Sequence, residues 1–247
     1  MSEISFVKSA YPVRADLEAA ERGAWRRLSQ SGTWWTAAQR VAIAAEARHA
    51  TSCPYCRARR EALSPRQVAG EHASLGQLPA AAVEAIHAIR TDPGRLTSDW
   101  YEGVIGQGSS EEQYVELVGV VVTTVVVDTF HRGLGLAPPV LPRAADDAAP
   151  RRRRPGGARK HRHWVQVLAP EDVRPGELDP YAENRGANIH RAMSLVPEEV
   201  VGFFDLAHAH YLSSAQMADL GTEPRAIDRA QIELLAARVS ALNQCVY

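Results

Sequence analysis

Three helix-start signals of the same kind constrain this chain more than any other feature. Thr36 with Gln39, Ser110 with Gln113 and Asp228 with Gln231 all carry the capping-box spacing. In that spacing the two side chains satisfy each other's free backbone donors in the first turn. Each signal stands before a segment with apolar residues at three- and four-residue intervals: Ala37 to Ala50, the stretch running to His131, and Ile232 to Leu242. Asp16 to Leu28 and Pro79 to Ile89 carry the same pattern, the second with Val83, Ile86 and Ile89 on one side and an Asp92-Pro93-Gly94 turn behind it. Gly133 and Gly135 close the long segment. Helical pattern returns at Asn188 to Leu195, and Pro197 suits the first turn of a helix running through Phe203, Phe204, Leu206 and Tyr211. Only Val120 to Val127 has strand character, and its caps and length decide for helix. The expected fold class is all-α, a helical bundle.

From Leu136 to Gly186 the periodicity gives way to Pro, Gly and a basic run, Arg151 to Arg154 with Arg159, Lys160 and Arg162. This divides the chain into a helical part over 1–135, a Pro/Arg-rich linker over 136–186 and a second helical part over 187–247. The basic run has only Trp164 nearby as a stacking aromatic, so it reads as a solvated loop and not as a nucleic-acid contact. A formal net charge of -1 provides no global field for nucleic acid or an acidic membrane surface. The amino terminus, Met1-Ser-Glu-Ile-Ser-Phe-Val-Lys8, has no apolar core of a secretion signal. The longest apolar run, Leu117 to Val127, contains Thr123 and Thr124 and falls short of the roughly 20 residues of a membrane helix. A cytoplasmic chain with no membrane partner is expected.

There are 3 cysteines, an odd count that excludes a disulfide scaffold, and two stand in Cys53-Pro54-Tyr55-Cys56. In a reducing compartment that spacing signals redox or metal chemistry. Pro54 suits the first position of a helix, and a thiol in a first turn is stabilised as thiolate by free backbone donors, here with Arg57, Arg59 and Arg60 alongside. Glu46 and His49, one turn apart, are candidates for a proton relay, although such a spacing also describes a plain surface pair. Zinc held by His49, Cys53 and Cys56 lacks the usual second ligand pair. Cys-Pro-Tyr-Cys is also the glutaredoxin motif, but there it follows a strand, whereas here Ala-rich helix precedes it. Buried structural thiols are the bland alternative. Trp34 and Trp35 read as core or interface. Asp128 and His131 on one helical face could orient a proton shuttle, although a helix-end His is more often a favourable charge, and His208 and His210 point to different sides of their helix.

Segments 192 positions apart (245 − 53) resemble each other. Thr36 and Asp228 align as caps, and Ala38, Gln39, Ala44, Ala45, Cys53 and Tyr55 align with Ala230, Gln231, Ala236, Ala237, Cys245 and Tyr247. The partner of Cys56 would be residue 248.

The stretch from Gln231 to Tyr247 resembles the signature of the alkylhydroperoxidase D and carboxymuconolactone decarboxylase family: Glu, eleven residues, Cys-x-x-Cys, and a His four residues on. Glu233 and Cys245 match it, and Asn188-Ile-His-Arg-Ala-Met-Ser-Leu-Val-Pro197 resembles the segment ahead of the signature in peroxidase-related members. In the amino-terminal copy Cys53 and Cys56 match, with Val41 at the Glu position and Arg60 at the His position. The resemblance implies two related halves, an oligomer of three or six chains, and thiol-dependent reduction of a hydroperoxide. It implies a peroxidatic Cys56, a resolving Cys53 and an external thiol or dithiol reductant, with no bound cofactor. Some relatives are selenoproteins, so the resemblance also raises the expectation of a selenocysteine codon directly after Tyr247. The expected function is a hydroperoxide reductase or related thiol-disulfide oxidoreductase. The alternative is a catalytically degenerate member acting as an oligomeric scaffold, and lactone decarboxylation ranks lower because those members lack the Cys pair.

Overall fold

The computed structural model describes residues 4–181, 188–243 and 245. Met1, Ser2 and Glu3, the segment's end at Gly186 and the repeat's Tyr247 lie outside the described residues. The elements are α1 (Ala15–Leu28), α2 (Ala37–His49), α3 (Pro54–Glu61), α4 (Ala80–Thr91), α5 (Ser98–Gly106), α6 (Glu111–Gly133), α7 (Asn188–Arg191), α8 (Pro197–His210), α9 (Ser214–Ala218) and α10 (Arg229–Leu242). A two-residue hairpin, β1 (Arg159–Lys160) against β2 (Gln166–Val167), is the only sheet among the described residues. The chain is all-α. All three capping boxes form, and a fourth, Ser213 with Gln216, opens α9.

The organising element is α6, against which α2, α4 and α8 pack, while α1 lies along α8. At 23 residues α6 is, by length and composition, long and apolar enough to cross a membrane, yet 61% of its most apolar window is buried within the bundle. Val120, Val121 and Val127 face the core. There the capped ladder prevails over their strand propensity, because burial of branched side chains compensates the rotamer freedom they lose in a helix. Trp25, Leu28, Ile43, Ile86, Leu117 and Leu206 complete that core. Trp35 joins it and Trp34 packs against it. The indole N–H of Trp35 donates to the Gln113 carbonyl at 2.9 Å, which satisfies its one polar atom on burial.

The Pro/Arg-rich segment contains no α-helix among its described residues, but it is packed. Val165, Val167, Leu168 and Tyr181 are buried, and Val165 and Val167 share a second core with Tyr101, Val115, Leu195 and Val200. Its basic side chains are partly paired, Arg154 with Glu112 and Arg159 with Asp172.

A buried ion cluster ties α8 to the amino-terminal helices. The Arg40 guanidinium on α2 donates to Glu116 of α6 and Glu199 of α8, both at 2.6 Å. The Trp34 N–H donates to the other Glu116 oxygen at 2.6 Å. At Gly119 a Cβ would fall 2.3 Å from a Glu199 carboxylate oxygen, so a glycine there lets Glu199 reach across α6. The environments of the repeated segments differ sharply. Helix α2 is embedded in the bundle, whereas Leu234, Leu235, Val239 and Leu242 of α10 are exposed and Ile232 is its one buried residue.

Candidate functional site

Helix α2 ends at His49 and passes through a 3-10 turn, Ala50–Ser52, into Cys53, which is the N-cap of α3. Pro54 takes the first helical position, where its missing N–H leaves no bond unmade. Cys56 follows within the same first turn, and both thiols are buried, at 2% and 4% exposure.

Two histidines from elsewhere meet them. His87 projects from α4 and its Nδ1 lies 3.2 Å from Cys56 Sγ. His72 comes from the loop between α3 and α4, with Nδ1 3.4 Å from Cys56 Sγ and 3.9 Å from Cys53 Sγ. The loop is pinned on Tyr55, whose hydroxyl donates to the Val68 carbonyl at 3.2 Å and whose ring meets His72 edge-on. At Gly70 φ is +146°, and a Cβ would fall 2.8 Å from the Tyr55 ring, so a glycine there allows the loop to close over the aromatic face. The Ala73 N–H, next along, donates to Cys53 Sγ at 3.4 Å.

Each histidine is backed by a carboxylate on its far nitrogen. His87 Nε2 is 2.8 Å from Glu46 Oε1, and His72 Nε2 is 2.7 Å from Glu84 Oε2. Glu46, fully buried on α2, also accepts from the Leu75 N–H at 3.0 Å. Glu84 on α4 accepts from Arg59 at 3.0 Å and from the Trp100 indole at 2.7 Å. Both carboxylates thereby fix ring orientation, and a ring that donates through Nε2 directs its Nδ1 at the sulfurs.

The electrostatics are polarised. Burial opposes ionisation of Cys53, but donation from the Cys56 backbone N–H, His72 and the Ala73 N–H outweighs it and lowers the thiol to about 7. Burial likewise disfavours a charged His72, yet its bonds to Cys56 and Glu84 raise it to about 10. Glu84, also resisted by burial, is held down to about 2 by His72, Trp100 and Arg59. His87 moves the other way: burial, which exceeds the support from Glu46, lowers it and keeps the ring neutral. One charged and one neutral imidazole therefore flank the thiols. A cavity of about 280 Å³, bordered by Cys56, Arg59, His72, Thr97 and Trp100, gives a small molecule a route to Cys56.

Of the residues singled out in the sequence, the structure brings together Cys53, Cys56 and Glu46. His49 stands outside the cluster. Glu46 bonds His87, not the neighbour one turn along its own helix, because His49 lies on the less buried side of α2. Glu233 bonds Tyr211 at 3.0 Å and Arg229 at 2.8 Å, neither of them a member of the Cys53 cluster, and Cys245 is exposed. Asp128 is engaged by Arg48 at 2.6 Å, and His131 Nδ1 donates to the Val127 carbonyl at 2.9 Å, so the two form no common shuttle. His210, expected to make no site with His208, bonds buried Glu21 at 2.8 Å. His72, Glu84 and His87 carry no motif. Glu84 and His87 are spaced i, i+3 on one helix, which is the one signal the sequence offers for them. No family model matches the chain, and neither does any curated protein or solved structure.

Proposed function

We propose that the chain is a thiol-dependent hydroperoxide reductase whose redox centre is Cys53 and Cys56. The observation that carries the reading is the buried line Cys56 Sγ, His87 Nδ1, His87 Nε2, Glu46 Oε1, at 3.2 and 2.8 Å, with the second thiol beside it. A nucleophile, a base and a group that orients the base is the arrangement that activates a thiol.

In this mechanism the Cys56 proton passes to His87 and the sulfur attacks the distal oxygen of a hydroperoxide entering by the cavity. The O–O bond breaks, Cys56 becomes the sulfenic acid, and the alkoxide takes a proton from the His72 imidazolium. The Cys53 thiolate then attacks the Cys56 sulfur, and the departing hydroxide takes the proton held by His87. Two electrons leave the two sulfurs, giving one alcohol, one water and the disulfide. An external thiol or dithiol restores the pair by exchange, which suits a reducing, cytoplasmic setting. The alkylhydroperoxidase D-like resemblance supports the same assignment of Cys56 as peroxidatic. An oligomer and a second centre at Glu233 and Cys245 remain part of that proposal.

The test uses reduced, metal-free protein and a low concentration of an organic hydroperoxide. Expected is a Cys53–Cys56 disulfide by mass spectrometry, and in Cys53→Ser a sulfenic acid at Cys56 trapped by dimedone. Oxidation no faster than that of a free thiol would sink the reading and favour the scaffold alternative.

A further inference from the structure

We propose that the reduced protein binds one Zn²⁺ per chain through Cys53, Cys56, His72 and His87. This stands on its own geometry and does not depend on peroxidase activity. The four ligand atoms, two Sγ and two Nδ1, all lie within 4.8 Å of one another. Tetrahedral zinc, with bonds of ~2.3 Å to sulfur and ~2.0–2.1 Å to nitrogen, requires S···N edges of roughly 3.5 Å. The described edges of 3.2, 3.4 and 3.9 Å bracket that length.

The surroundings are those of a metal site as well. A histidine ligand characteristically donates its other N–H to a carboxylate, which fixes the tautomer and makes the bound nitrogen more basic. Here both do, His87 to Glu46 and His72 to Glu84. Two thiolates and two imidazoles are a soft, borderline donor set that selects zinc over magnesium or calcium. Four protein ligands close the coordination sphere, so the ion is held as a structural or protective centre and not as a Lewis acid with an open position. In the sequence, zinc on His49, Cys53 and Cys56 ranked low for want of a second ligand pair, and no bound metal was expected. The second ligand pair exists, but its two members come from a loop and a helix fifteen positions apart (87 − 72), far from the three-to-five spacing that a sequence pattern searches for. Zinc and a Cys53–Cys56 disulfide use the same sulfurs and exclude each other, so peroxide chemistry belongs to the metal-free form.

The experiment loads full-length, reduced, chelator-treated protein with Zn²⁺ and, separately, with Co²⁺ as a spectroscopic probe. Expected are one metal per chain, the strong visible bands of tetrahedral cobalt, and a thiolate-to-cobalt charge-transfer band. That band should diminish in Cys53→Ser and in Cys56→Ser. Glu46→Gln and Glu84→Gln, which leave all four ligands in place, should each weaken zinc binding ~10–100-fold. His49→Ala should bind as wild type does. Circular dichroism identifies any variant that fails to fold, and the wild-type cobalt spectrum stands without the variants. Folded, fully reduced wild type that retains no zinc, or an octahedral cobalt spectrum, would overturn the site. Absent metal binding with disulfide formation intact would refute zinc alone, whereas tight zinc with thiols inert in the metal-free protein would refute the peroxidase alone.

Discussion

Replacing Arg40 by Met should strongly destabilise the protein and make its stability more strongly dependent on pH. Arg40 is 3% exposed and bonds two carboxylates, Glu116 and Glu199, both at 2.6 Å. Two unit charges ~4 Å apart at an effective dielectric of about 20 attract by roughly 4 kcal/mol, and Arg40 makes two such pairs. Much of that attraction is offset by desolvation of the three ions. Losing one partner of a buried pair costs about 3–5 kcal/mol in practice. With two carboxylates left behind, the upper part of that range is expected. For a chain of this size 1 kcal/mol moves the thermal midpoint by about 2–4 °C, so the midpoint should fall by roughly 8–20 °C. Burial already raises Glu116 above its ordinary value, against the pull of Arg40. Without Arg40, Glu116 with its raised value binds a proton in the folded state that the unfolded state releases, so stability falls as pH rises above the ordinary carboxylate range. The deficit of the variant should therefore be smaller near pH 5 than near pH 8. Thermal and urea unfolding at both pH values provide the measurement. A deficit under about 1 kcal/mol, or one that does not change with pH, would refute the reasoning.

Glu46→Gln should slow Cys56 oxidation by about 10²–10⁴-fold, the usual contribution of a positioned acid–base group, in stopped-flow kinetics. A rate within threefold of wild type would remove Glu46 from the relay. In the reduced, metal-free protein His72 should remain imidazolium through pH 8 and lose its proton near 10, as followed by its ring resonances. Its raised value contributes stability that is complete below its unfolded value and is lost as pH rises through 10. Glu84→Gln should lower that midpoint by removing a bond that favours the charged ring, and an unchanged midpoint would contradict it. Gly70→Ala should cost about 1–3 kcal/mol, since the residue sits at φ +146° against the Tyr55 ring. It should also slow thiol oxidation by displacing His72, whereas full stability with full reactivity would show that the loop can close another way.

Much of the fold was legible in local sequence because helix starts are local events. A side chain three residues ahead satisfies a backbone donor whether or not the rest of the chain is present, and that is why Thr36, Ser110 and Asp228 marked true boundaries. Cys53 and Cys56 were legible for the same reason, since two intervening residues and a proline place both thiols on one helical turn. Glu46 was recognised as chemistry, but its partner was sought on its own helix.

The rest was decided by tertiary structure. His72 and His87 acquire their meaning only when α4 packs against α2 and α3 and the Gly70 loop closes on Tyr55, contacts that no short spacing encodes. The pairing of Arg40 with Glu199 joins positions 159 apart (199 − 40), and the packed course of 136–181 follows from burial of Val165, Val167, Leu168 and Tyr181 in place of any periodic pattern. Sequence determined where helices begin and which turn carries the sulfurs, because hydrogen bonds within a turn are local. Tertiary packing decided what those sulfurs face, because burial and charge pairing act between segments that only the completed fold brings together.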